Sequence, residues 1–132
     1  MRTPEGKPPT AADIEEIAAR AFETISAALR KHATNIRIHV VDFPNGIVMR
    51  EMALESPYDL LGLYQGVPIS DRSVSNVRHD IDMITLYRRP LLDYWLEKNE
   101  HLEDVVRHVL IHEVGHHFGF SDDDMENIED GG

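Results

Sequence analysis

The stretch that decides the fold is His112-Glu113-Val114-Gly115-His116-His117-Phe118-Gly119-Phe120-Ser121-Asp122. The apolar spacing before and within it predicts one long helix over residues 100–118. Because His112 and His116 are four residues apart, both imidazoles project from the same face of that helix and can bind one metal ion. Glu113 lies about 100° around the helix, beside that face. The stretch therefore predicts a metal site with an adjacent carboxylate that is not itself a ligand.

A third ligand is predicted beyond the end of this helix. Gly119 stands where a helix that ends at Phe118 needs a left-handed residue to turn the chain. The turn would bring Asp122 back to the ion, and two neutral imidazoles with one carboxylate suit a catalytic zinc site. Manganese, iron or cobalt could use the same donors, since the chain has no cysteine to select zinc by its softness. We predict one zinc ion per chain, bound by His112, His116 and Asp122.

The spacing His112-Glu113-x-x-His116-x-x-Gly119-x-x-Asp122 resembles the extended zinc-binding motif of metzincin-like metallopeptidases, in the version whose third ligand is aspartate. Roughly the second half of the chain is similar to a family of very short bacterial zincin-like proteins, often described as minimal metalloproteases. The similar segments are 60–64, 84–90, 116–119 and 122–125.

This resemblance implies a function and a fold. The function is that of a zinc-dependent peptidase, in which Glu113 is the general base toward a metal-activated water. The fold is α+β: a small mixed sheet of about three or four strands packs on an N-terminal helix and on the long C-terminal helix. In such folds a peptide or flexible protein segment pairs with the edge strand of the sheet, for which residues 81–87 are the candidate. The donors considered for the oxyanion are Tyr64, Tyr87, Arg88 and His117.

The sequence departs from metzincins after the third ligand. Metzincins place a methionine turn well downstream, whereas Met125 follows Asp122 by only three residues and the sequence ends at Gly132. We therefore expect the usual C-terminal subdomain to be absent, which leaves the depth of the substrate cleft, and with it efficient proteolysis, open.

The remaining histidines do not add a ligand. His108 precedes His112 by four residues, but three ligands along one straight helix would span about 12 Å of its axis, too far to converge on one ion. We predict that His108 supports a ligand or lies at the surface, and that His39 is a strand residue. The histidines without ligand spacing are His32, His79 and His101.

Hydrophobic periodicity and turn residues predict the other elements. Thr10 and Asp13 form a capping-box pattern before an amphipathic helix over 11–31. Pro90 suits the first turn of a helix that follows the last strand. The predicted strands cover 36–43, 60–64 and 80–88, a short helix covers 47–54, and a loop covers 70–79.

Composition limits the class of protein. The 132 residues predict a single domain over 1–132, with a flexible arm at 1–9 and an acidic tail at 126–132. No apolar run is long enough for a transmembrane helix, and residues 1–10 are polar and lack the apolar core of a signal peptide, so we expect a cytoplasmic protein without a membrane partner. The net charge of −11 disfavours nucleic acid as a partner.

Two other functions compete with the peptidase. A metal-dependent endoribonuclease of the small rRNA-maturation type shares the spacing of two histidines and a third ligand. It lacks a glutamate after the first histidine and uses a histidine as third ligand, so Glu113 and Asp122 favour the peptidase. The other alternative is a non-catalytic zinc-stabilised binding module, because a complete motif does not prove turnover. The sequence leaves the oligomeric state open.

Overall fold

The computed structural model of the protein describes residues 7–25, 36–66 and 82–118. It is an α+β fold with a small mixed sheet, as expected. In chain order the elements are helix α1 (Ala11–Glu23), strand β1 (Ile36–Val41), helix α2 (Gly46–Glu51), a 3-10 turn (Pro57–Asp59), strand β2 (Gly62–Gln65), strand β3 (Asp82–Tyr87), helix α3 (Arg88–Lys98) and helix α4 (Leu102–Phe118). The predicted loop at 70–79 and the predicted turn at Gly119 lie outside the described residues.

The three described strands are ordered β1-β3-β2, with β1 parallel and β2 antiparallel to β3. The prediction that residues 81–87 form the edge strand is therefore wrong, because β3 is central among these strands and β2 lies at an edge. Burial gives the physical reason. Ile84 and Thr85 point to opposite faces of the sheet and both are buried. A strand covered on both faces belongs inside a sheet.

Helix α1 begins as predicted and ends earlier. The Thr10 N–H donates to the Asp13 carboxylate at 2.8 Å, and the Asp13 N–H donates to the Thr10 hydroxyl at 3.1 Å, which completes the capping box. The expected helix over 11–31 stops at Glu23, where the backbone N–H groups of Thr24 and Ile25 donate to carbonyls three residues earlier, at Ala21 and Phe22. The Thr24 hydroxyl donates to the Ala21 carbonyl and accepts from Nε of Arg107 in α4. Residues 26–31 lie outside the described part of the chain.

Helices α1 and α4 share the hydrophobic core with the sheet. Ile14 and Ile17 of α1, Val106 and Leu110 of α4, and Leu86 of β3 are almost completely buried in it.

Within residues 7–25, 36–66 and 82–118, no helix has the length and apolar character needed to cross a membrane.

Strand β2 approaches α4 very closely at Gly62. A Cβ at this position would lie 2.8 Å from Cγ1 of Val109 and 3.3 Å from Cδ2 of Leu86. Only a glycine leaves room for this packing without displacing a core side chain. The contact fixes the backbone of β2 beside the half of α4 that carries the histidine motif.

The start of α3 binds the N-terminal segment. Arg88, expected at the end of a strand, begins α3, and Pro90 lies in the first turn as predicted. Nε of Arg88 donates to the Pro9 carbonyl at 2.7 Å, and its Nη1 donates to Asp42 at 3.3 Å. Pro9 is buried, and the flexibility of the arm at 1–9 stays a prediction.

Candidate active site

Helix α4 carries three motif residues, His112, Glu113 and His116, over one helical turn. Val105 and Val109, which share the histidine face one and two turns earlier, are both buried. The histidine motif therefore continues a buried stripe towards the surface. His112 is half-buried, and the side chain of His116 is 48% exposed.

The Glu113 carboxylate joins α4 to strand β2. Glu113 is only 8% exposed, and its Oε1 accepts the backbone N–H of Tyr64 at 2.6 Å. The same oxygen lies 3.7 Å from Nδ1 of His116. The carboxylate is thus held between a strand amide and a histidine of the motif.

Burial raises the pKa of the Glu113 carboxyl above its ordinary value of 4.5, whereas the neighbouring His116 and the Tyr64 hydrogen bond lower it in part. Burial is the largest of these effects, because it penalises the charged form. A carboxylate with increased proton affinity is better matched to general-base chemistry near neutral pH than an exposed one.

The described histidines outside the motif are exposed, and one of them, His108, lies beside it. His108 is exposed, and its ring lies 4.5 Å from the ring of His112 between centroids, tilted by 49°. His39 is exposed on β1, as expected for a strand residue, and His101 is exposed just before α4. His32 and His79 lie outside the described residues, as does the side chain of His117.

The residues predicted as oxyanion donors lie in different surroundings. Burial, followed by the Glu113 carboxylate, raises the pKa of the Tyr87 phenol above its ordinary value of 10.0, so this hydroxyl stays protonated and can donate. The Arg88 guanidinium is bound to Pro9 and Asp42. The hydroxyl of Tyr64 lies close to Gly66, at 2.8 Å from the position that a Cβ on this glycine would take.

The sequence did not reveal that the backbone N–H of Tyr64 binds Glu113. A backbone donor has no side-chain signature, and its direction depends on the register of β2 against β3. The glycine at position 62 was the available signal, because a strand glycine often marks a close approach of another element.

The chemistry of the donors fits a zinc ion. Two imidazoles one helical turn apart, with no thiolate, form a nitrogen-rich set that suits zinc. Among the side chains that the structure describes, which end at His116, no three histidine or acidic side chains converge as a complete metal site. Asp122, the predicted third ligand, lies outside these residues, so its position stays a prediction.

The class of protein follows from the fold together with the motif. A mixed sheet with an antiparallel strand at its edge, beside a helix that carries His112-Glu113-x-x-His116, is consistent with a zincin-like fold. The model of the family described as Zincin-like metallopeptidase matches residues 33–132, which is more than half of the chain. The chain therefore belongs to the zincin-like metallopeptidase family. Membership supports a metallopeptidase-type function and implies zinc as the metal in general. No curated protein sequence matches the chain.

Proposed function

We propose that the protein is a zinc-dependent metallopeptidase that hydrolyses peptide bonds in peptides or flexible protein segments. In this proposal His112, His116 and Asp122 hold one zinc ion, and Glu113 is the general base. The observation that carries the proposal is the buried Glu113 carboxylate, which lies 3.7 Å from His116 and accepts the Tyr64 N–H of β2. Family membership over residues 33–132 supports the same reaction class.

In this proposal the metal ion and Glu113 have separate roles in the reaction. A zinc ion, when bound, supplies Lewis-acid polarisation and makes water easier to deprotonate. Glu113 accepts the proton of the attacking water and delivers it to the leaving amine. Its raised pKa favours the first of these transfers, because a carboxylate of higher proton affinity is the stronger base. The burial that raises this pKa also limits the access of bulk water to the carboxylate.

The ligand set is tested by metal content. We expect about one zinc per chain in protein purified without chelators, and loss of zinc in His116→Ala and in Asp122→Ala, because three protein ligands are the usual number at a catalytic site. The matched control is His39→Ala, which removes an exposed histidine from β1 and should leave zinc unchanged. Full zinc content in Asp122→Ala would exclude Asp122 as the third ligand.

The role of Glu113 is tested by turnover on a pool of capped, position-randomised decapeptides. Glu113→Gln keeps the shape of the side chain and removes the base, so we expect cleavage to fall by about 100- to 10,000-fold with zinc content unchanged. Loss of zinc in this variant would make Glu113 a ligand. Zinc binding by the wild-type chain without any cleavage would contradict the peptidase and favour a zinc-stabilised binding module.

A further inference from the structure

The register of β2 fixes the direction of the Tyr64 amide. In antiparallel strands, pairs whose backbone groups bond each other alternate with pairs whose groups point away. The Tyr87 N–H donates to the Leu61 carbonyl at 3.0 Å, so that pair is a bonded one. Tyr64 and Ile84 are opposite each other three positions further along, and they therefore form a non-bonded pair. The N–H and C=O of Tyr64 point away from β3.

The Glu113 carboxylate lies on this outward side of the strand. Its 2.6 Å bond to the Tyr64 N–H is a charge-assisted hydrogen bond whenever the carboxyl is ionised. The close packing of Gly62 on Val109, one turn before Glu113, sets the spacing between strand and helix that this bond requires. The carboxylate therefore occupies the donor that an extended chain added to β2 would use.

An added strand needs the same atoms. A peptide that pairs antiparallel with β2 would bond through one of its residues to both the N–H and the C=O of Tyr64. The peptide carbonyl and the Glu113 carboxylate would then compete for one proton donor. Since the N–H has a single proton, full bonding to one acceptor excludes full bonding to the other.

We propose that the Tyr64 N–H alternates between two acceptors, the Glu113 carboxylate in the free protein and a backbone carbonyl of an extended peptide in the complex. Peptide binding then releases Glu113 from β2. Tyr64 is thus a positioning residue that acts through its backbone. This inference rests on the proposed function for its choice of ligand, while the bond between Glu113 and Tyr64 requires neither zinc nor turnover.

Amide hydrogen exchange tests the free state. In the full-length chain, we expect the Tyr64 amide to exchange at least about tenfold faster in Glu113→Ala than in wild type, because a hydrogen bond to a charged acceptor is lost. Glu113→Gln is the matched control, since it keeps an acceptor of the same shape and should accelerate exchange less. The Leu63 amide, which points towards β3, should not change. Equal Tyr64 exchange in wild type and Glu113→Ala would overturn the proposal.

Peptide affinity tests the exchange of acceptors. The probe is a fluorescein-labelled, capped octapeptide of alternating threonine and valine, and binding is followed by stopped-flow anisotropy before turnover. We expect Glu113→Ala to bind the probe about tenfold more tightly than wild type, because the peptide no longer has to displace the carboxylate. No gain in affinity would overturn the proposal.

A second pair of variants tests whether the gain in peptide affinity requires the Tyr64 N–H. Tyr64→Pro removes the outward N–H, which an edge strand tolerates, and Tyr64→Ala removes only the ring. The gain from Glu113→Ala should persist in the Tyr64→Ala background and vanish in the Tyr64→Pro background. An equal gain in both backgrounds would overturn the proposal. The proposed function fails instead on zinc content and cleavage, so the two failures are distinguishable.

Discussion

Towards its C-terminal end, helix α4 has two faces of opposite character. Val106, Leu110 and Val114 recur every fourth residue and are fully buried in the hydrophobic core. The other face carries Glu113, which is almost as deeply buried, between the half-buried His112 and the half-exposed His116. Burial is similar for Leu110 and Glu113, but it stabilises the folded state through the leucine and penalises the ionised form of the carboxyl.

The difference separates residues that anchor the helix in the core from residues proposed to bind a metal ion and activate water. A fully buried aliphatic side chain contributes about 1.5–3 kcal/mol to the free energy of unfolding. Several such residues on the apolar face offset the cost of keeping an ionisable carboxyl away from water. The face that carries Glu113 can therefore remain unfavourable for stability without unfolding the helix.

The largest effect is expected on the apolar face. Leu110→Ala should lower the free energy of unfolding by about 2–5 kcal/mol, because it leaves a cavity in the core. The measurement is urea unfolding followed by circular dichroism. Leu96→Ala is the matched control, since this leucine of α3 is 73% exposed and its truncation should change stability by less than about 0.5 kcal/mol. Similar decreases in the free energy of unfolding for the two variants would contradict the role of the apolar face of α4 in stability.

A smaller effect is expected where β2 meets the boundary of the two faces. Gly62→Ala should lower the free energy of unfolding by about 1–3 kcal/mol, because its Cβ would lie 2.8 Å from Val109. Gly46→Ala is the control, since a Cβ there would be 3.5 Å from its nearest neighbour, a guanidinium nitrogen of Arg50. The same urea titration measures both. A neutral Gly62→Ala would show that strand and helix can separate without cost.

The smallest effect is expected on the polar face, and it depends on pH. Because burial raises the pKa of Glu113, the folded chain binds this proton up to a higher pH than the unfolded chain does. The contribution of Glu113 to stability is then highest at low pH and falls as pH rises above the ordinary value of 4.5. Both proteins are treated with chelator and unfolded in urea at each pH. Between about pH 5 and pH 8, the free energy of unfolding should fall less in Glu113→Gln than in wild type.

The control for this pH series is Glu16→Gln, which neutralises an exposed carboxylate of α1 that pairs with Arg20. Its pH dependence should follow that of wild type. A steeper loss of stability with rising pH in Glu113→Gln than in wild type would mean that the folded state favours the ionised carboxyl of Glu113.

Features set by neighbours in sequence could be predicted, and features set by distant contacts could not. The cap at Thr10 and the helix that carries His112 and His116 depend on residues within a turn or two. Helix α1 ends earlier than its apolar pattern predicts, at a residue, Thr24, whose hydroxyl accepts from Arg107, 83 residues away in the chain. The order of the strands is also non-local, since alternation of residues in β3 does not say which strands flank it.

The sequence separations within the site determine the order in which its parts can assemble. His112 and His116 are placed by a single helical turn, whereas Glu113 finds the Tyr64 amide across 49 residues of chain. Local helical contacts form early in folding, and contacts between distant segments form later because a long loop must close first. If α4 forms before β2 docks on it, both imidazoles lie on one helix face while Glu113 still lacks the Tyr64 N–H. The spacing of the histidine pair is thus set by one helical turn, whereas the contact between Glu113 and Tyr64 is set by tertiary folding.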